Sequence, residues 1–82
     1  TMKHYKLSDL KEGMRVYVDE LTDIEGVYIL LSDTEDVETP EGFTRTTGII
    51  SKISTRKLQV KHLKESLYYR RKGYSADYEV RA

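Results

Sequence analysis

Hydrophobic and polar positions alternate most cleanly from Met14 to Asp19, where Met14, Val16 and Val18 fall on one side and Arg15, Tyr17 and Asp19 on the other. A period of two is the signature of a half-buried strand. Val27 to Ser32 is apolar on both faces and too short for a helix, so it is the candidate central strand. Phe43 to Ile53 is rich in Thr and Ile with Gly48 inside it, and a glycine in a strand marks a bulge or a bend where a sheet curls. Leu67 to Arg71 and Ala76 to Arg81 read as two strands of a closing hairpin around Lys72-Gly73-Tyr74-Ser75.

The connections carry their own signals. Lys6 to Gly13 reads as a single helical turn, with Ser8 as cap, Asp9 at the positive helix end and Gly13 as the left-handed stop. Asp19 to Gly26 is a polar, acidic loop. Asp33 to Gly42 has no sustained apolar period and contains Thr-Pro-Glu-Gly, so it is expected to be a surface loop with a tight turn. Ser54 to Ser66 is ambiguous. Val60, Leu63 and Leu67 have helical spacing while Leu58 and Val60 alternate, and Lys57, Gln59, Lys61 and Lys64 tip the reading to a short helix around 55–65.

Together these elements predict a mainly β fold: a small barrel or strongly bent antiparallel sheet of 4–6 short strands. Such a sheet must curl, because a flat one cannot cover its own apolar face. The length of 82 residues gives one domain, 1–82, with Thr1 read as a residue added ahead of a native start at Met2. Only 38% of the residues are hydrophobic and 34% are charged, a balance expected when surface outweighs interior. The strand-like apolar runs and seven tyrosines argue against disorder.

The run Leu10-Lys-Glu-Gly13-Met14-Arg-Val16 has a Leu-x-x-Gly-x-x-Val form that resembles the entry strand of SH3-like small barrels. The following acidic loop, the apolar strand 27–32 and Gly48-Ile-Ile look similar to that family's later elements. The resemblance is at the level of fold and implies a small barrel; it does not fix a function. Peptide recognition of the proline-binding kind is not implied, since the chain has no tryptophan.

Several chemistries are excluded or unsupported. With no cysteine there is no disulfide framework, thiolate metal site or thiol nucleophile, and the expected compartment is a reducing cytoplasm. No apolar stretch approaches the roughly 20 residues of a membrane span, the longest being Val27 to Leu31. His4 and His62 have no neighbouring carboxylate arrangement that marks a general base. The acidic run from Asp33 fails the calcium-loop pattern, with Val37 and Glu38 where the loop needs an oxygen ligand and a glycine. No glycine-rich phosphate cradle is present. The expectation is therefore no enzyme, no metal and no cofactor.

Charge changes the picture most. Residues 1–42 carry four Lys/Arg against eleven Asp/Glu, a net of −7, and residues 43–82 carry ten against three, a net of +7. If the halves fold against each other the charges cancel; on separate faces they make a dipole suited to docking or head-to-tail self-association. Between 52 and 72 stand eight Lys/Arg and one acid, Glu65, interleaved with tyrosines. The candidate binding residues are Arg70, Arg71 and Lys72, flanked by Tyr69 and Tyr74, with Lys57, Lys61 and Lys64 adding long-range attraction. The expected function is a non-catalytic accessory module, of the kind found in larger bacterial-type assemblies, binding a protein partner with an acidic surface. The alternative is RNA or single-stranded DNA, met by the same lysines, arginines and stacking rings.

Overall fold

A computed structural model describes residues 5–21, 24–70 and 77–81, the last stretch as backbone. Five strands form one antiparallel sheet: β1 (Arg15–Tyr17), β2 (Tyr28–Glu38), β3 (Thr44–Ser54), β4 (Ser66–Arg70) and β5 (Asp77–Arg81). Their order across the sheet is β1-β3-β2-β4-β5. The apolar run from Val27 thus opens the middle strand, as its two hydrophobic faces require. β4 and β5 form the expected hairpin, with Arg70 opposite Asp77. Among the described residues no ladder joins β1 to β5, so the sheet is open rather than a closed barrel. Among the described residues no helix is long and apolar enough to cross a membrane.

Alternation along the strands divides the sheet into two faces. One carries Val16, Ile29, Leu31, Ile50 and Tyr68, all buried. Leu10, Leu21, Ile24 and Val27 close over them, from the segments that lead into β1 and β2. Leu31 is 0% exposed, and burying each such side chain is worth about 1.5–3 kcal/mol. The second face carries two cross-strand pairs, Leu30 opposite Leu67 and Tyr28 opposite Tyr69. Leu30 and Leu67 are also buried.

The elements depart from the sequence expectation at four places. The first turn is a 3-10 turn, Leu7–Asp9, and its cap is not Ser8: the Lys6 N–H donates to Asp9 Oδ2 at 3.2 Å. Gly13 follows with φ +87°, the left-handed stop, and its N–H donates to the Ile50 carbonyl at 2.7 Å. Second, β1 ends at Tyr17 and the chain turns through a 3-10 stretch, Val18–Leu21, so that the acidic loop contributes Leu21 and Ile24 to the core.

Third, Asp33 to Glu38 is strand rather than loop. It continues β2 and pairs with Thr44 to Thr47, and only Thr39 to Phe43 turns. A bulge makes the extension possible. Ser32 faces Ile49 and Glu35 faces Thr47, leaving Asp33 and Thr34 opposite Gly48 alone. Asp33 takes φ +51°, a conformation Asp tolerates better than most residues. A Cβ on Gly48 would lie 2.9 Å from Thr34 Cγ2 and 3.0 Å from Leu31 Cβ. The glycine expected to mark a bend is therefore the residue that lets the bulged strand close on β3.

Fourth, the expected helix around 55–65 is absent. β3 runs to Ser54, whose Oγ accepts the Arg56 N–H at 3.0 Å. The Glu65 carboxylate accepts the Lys61 and His62 N–H groups at 2.8 and 3.1 Å, so those amides are not available to helical carbonyls. Leu63 is 90% exposed, with no apolar face for a helix to bury. Propensity loses here to a side chain that competes for the backbone.

Candidate functional site

The segment between β3 and β4 crosses the second face of the sheet and leaves a groove of about 360 Å³ beside it. Leu30 and Leu58 supply its apolar lining, Lys52, Lys57 and Lys61 its positive charge and Glu65 a carboxylate. An adjoining depression of about 500 Å³ is bounded by Lys57, Leu58, Gln59, Val60 and Leu67. Lys52 reaches the groove because it stands opposite Leu30 in the β2–β3 ladder, on the same face. That register includes a second irregularity: Leu31 is opposite Ile50, so Ser51 is the extra residue, and its Oγ donates to the Leu30 carbonyl at 3.0 Å.

Glu65 organises the far wall. Its carboxylate is held below the ordinary carboxylate range, chiefly by the Lys61 N–H, with the His62 N–H and the nearby positive charges adding to it against the opposing effect of burial. The group is therefore an anion at neutral pH, bound to backbone, and it fixes the 61–65 turn that presents Lys61 and His62. His62 Nε2 lies 4.0 Å from Glu65 Oε1.

The remaining charges divide sharply. Arg45 lies 3.6 Å above the Tyr17 ring, and it makes two hydrogen bonds to Asp19, at 3.2 and 2.9 Å. A further contact runs to Glu20 at 3.5 Å, and the Asp19 hydrogen bond is the main reason the guanidinium is held above its ordinary value. Arg70 pairs with Glu25 at 3.8 Å and Arg15 with Asp33 at 3.2 Å. Two cations of the basic half are thus neutralised by carboxylates of the acidic half. Among the described residues, Lys52, Arg56, Lys57, Lys61 and Lys64 make no ion pair with Asp or Glu within 4 Å. Three of these cations, Lys52, Lys57 and Lys61, line the groove together with the one carboxylate of Glu65.

Of the residues singled out from sequence, Lys57 and Lys61 line the groove, while Lys64 is exposed on the following turn and does not. Tyr69 is half-buried and stacks on Tyr28, ring centroids 4.1 Å apart and planes at 17°. Arg70 points to the other face, beside Leu21 and Ile24. The structure therefore separates Arg70 from the lysines with which it was grouped. Arg71, Lys72 and Tyr74 lie outside the described residues. Sequence reasoning missed Leu30, Leu58 and Tyr28. Only Lys52, already within the basic run, carried a signal that could have found the groove. No cluster of three His, Asp or Glu suited to a metal ion occurs among the described residues.

Comparison with protein-family models, with characterised proteins and with solved structures returns no match for this chain.

Proposed function

We propose that the chain is a non-catalytic interaction module that binds an acidic protein segment in the groove between the 57–62 segment and the second face of the sheet. The observation that carries the reading is the juxtaposition of Lys52, Lys57 and Lys61, none of their ammonium groups within 4 Å of a carboxylate among the described residues, with a lining that includes Leu30 and Leu58. Apolar contact supplies affinity, and the three lysines, which outnumber the single Glu65 carboxylate of the lining, supply attraction and orientation. A protein segment suits this surface better than nucleic acid, because the Tyr28 and Tyr69 rings stack on each other and so each covers a face the other would offer to a base. The entry into β1, with Leu10 and Val16 buried on either side of a left-handed Gly13, supports kinship with SH3-like small barrels. The lack of cysteine supports a reducing cytoplasm as the compartment.

The test is fluorescence anisotropy of a fluorescein-labelled deca-glutamate peptide at low ionic strength. The unmodified chain binds, and Lys57→Glu with Lys61→Glu weakens binding by about tenfold or more, with far-UV circular dichroism and melting unchanged. Equal binding by the double variant would refute the groove. A labelled oligothymidylate run in parallel decides the ligand class. Tighter capture of the oligonucleotide, with a log–log salt slope near −0.7 per phosphate, would replace the protein reading by a nucleic-acid one. Arg71→Glu with Lys72→Glu shows whether the β4–β5 connection extends the same surface.

A further inference from the structure

The tip of the β2–β3 hairpin has the chemistry that complements this groove. The β2–β3 hairpin ends in a turn held by Thr39: its N–H donates to the Phe43 carbonyl at 2.7 Å, and its Oγ1 accepts the Phe43 N–H at 3.1 Å. Phe43 is thereby fixed at the tip with 68% of its surface in water. Glu38 and Glu41 flank the tip and Glu35 and Asp36 lie further down the same arm, all exposed; residues 33–43 contain no Lys or Arg, and Arg45 on the returning strand is bound to Asp19. An exposed aromatic ring beside carboxylates is the complement of a groove whose lining includes Leu30 and Leu58 with Lys52, Lys57 and Lys61.

The arm cannot reach its own groove. The tip pair Glu38–Thr44 and the groove pair Leu30–Lys52 belong to one ladder, eight residues apart along β2. At about 3.3 Å per residue they are about 25 Å from each other, and a paired ladder does not fold back on itself. Occupancy must come from a second molecule.

We infer that the occupant of the groove is the acidic hairpin tip of a second copy of this chain, Phe43 seated against Leu30 and Leu58 with its carboxylates facing Lys52, Lys57 and Lys61. The inference rests on the groove reading above and names the partner. Such a contact joins two different patches, so each molecule keeps one free tip and one free groove and the assembly continues head to tail. The plug is smaller than a standard stable interface, which sets the association at protein concentrations on the order of 100 μM.

Sedimentation equilibrium from about 10 μM to about 1 mM at low salt reads this directly. The weight-average mass of the unmodified chain rises past that of a dimer. Phe43→Ala, which lacks the plug, and Lys57→Glu/Lys61→Glu, which lacks the groove, each remain monomeric. An equimolar mixture of the two stops at the dimer, because one supplies a working groove and the other a working tip. A monomer throughout, a plateau at dimer for the unmodified chain, association of either variant like the parent, or a mixture that stays monomeric would each overturn the inference. Deca-glutamate binding by Phe43→Ala separates the two levels. If the peptide still binds this variant while the unmodified chain stays monomeric, only self-association falls; if neither the peptide binds nor the unmodified chain associates, the groove falls too.

Discussion

Gly48→Ala places the sharpest demand on the account of how the sheet bends. The added Cβ would meet Thr34 Cγ2 at 2.9 Å, Leu31 Cβ at 3.0 Å and Leu31 Cδ1 at 3.2 Å. Carbon pairs prefer about 3.5–4.0 Å, so each contact is short by several tenths of an ångström. Thr34 can yield by rotation, but Leu31 Cβ is fixed to the middle strand and its side chain is 0% exposed. Overpacking of this kind costs about 1–3 kcal/mol. Loss of freedom in the unfolded chain on replacing glycine offsets about 0.4–1 kcal/mol of that. The net is about 1–2 kcal/mol, and at about 4–8 °C per kcal/mol for a domain of this size the midpoint falls by about 5–15 °C. Urea unfolding followed by circular dichroism measures the free energy and calorimetry the midpoint. Thr34→Ser removes the nearest methyl, so in the Gly48→Ala background it recovers about 0.5–1 kcal/mol, read as the coupling in a double-mutant cycle. A Gly48→Ala variant as stable as the parent, or zero coupling to position 34, would show that the bulge does not close on the glycine as described.

Other expectations follow from the same packing and charge. Tyr28→Ala and Tyr69→Ala each destabilise, and their cycle in urea unfolding yields about 0.5–1.5 kcal/mol of coupling from the stacked rings; additive effects would contradict the stack. Glu65 has a folded pKa below its unfolded one, so it stabilises above the ordinary carboxylate range and that contribution is lost as pH falls through the depressed value. Glu65→Gln therefore lowers the midpoint at pH 7 and flattens the acid limb of the stability–pH curve, and an unchanged limb would refute the role of its backbone contacts. Arg45→Met lowers stability at neutral pH by removing the partner of Asp19 and Glu20 and the cation over Tyr17, and high salt reduces the difference between variant and parent. A difference that does not respond to salt would assign Arg45 to packing alone.

What the sequence disclosed follows the physical range of each signal. The middle strand was legible in Val27 to Leu31 because burial on both faces leaves an apolar run. The β4–β5 hairpin was legible in two short strands around Lys72-Gly73, and the bend in a lone Gly48. Asp33 to Glu38 was not, because acidic residues have low strand propensity and no apolar period marks them. They extend only because Thr44 to Thr47 pair with them and Thr46 Oγ1 donates to Asp36 at 2.7 Å. The segment 54–66 misled for the opposite reason: its helix formers are real, and one carboxylate, Glu65, diverts the amides they needed. In the site, Lys57 and Lys61 were visible as charge, but their position beside Leu30 depends on a β2–β3 register shifted by one residue at Ser51, which composition does not encode. Arg70 looked like part of the same patch until its neighbour proved to be Glu25, 45 residues away along the chain.

Amide chemical-shift mapping tests the central claim most directly. Nitrogen-15-labelled Phe43→Ala, which keeps the groove and lacks the plug, is titrated with unlabelled deca-glutamate peptide. Saturable shifts are expected at Lys52 and Lys57 through His62, with the Tyr17–Arg45 region and the Asp33–Glu38 arm unmoved. Shifts centred on Arg70 and β5, or no saturable shift at all, would contradict it.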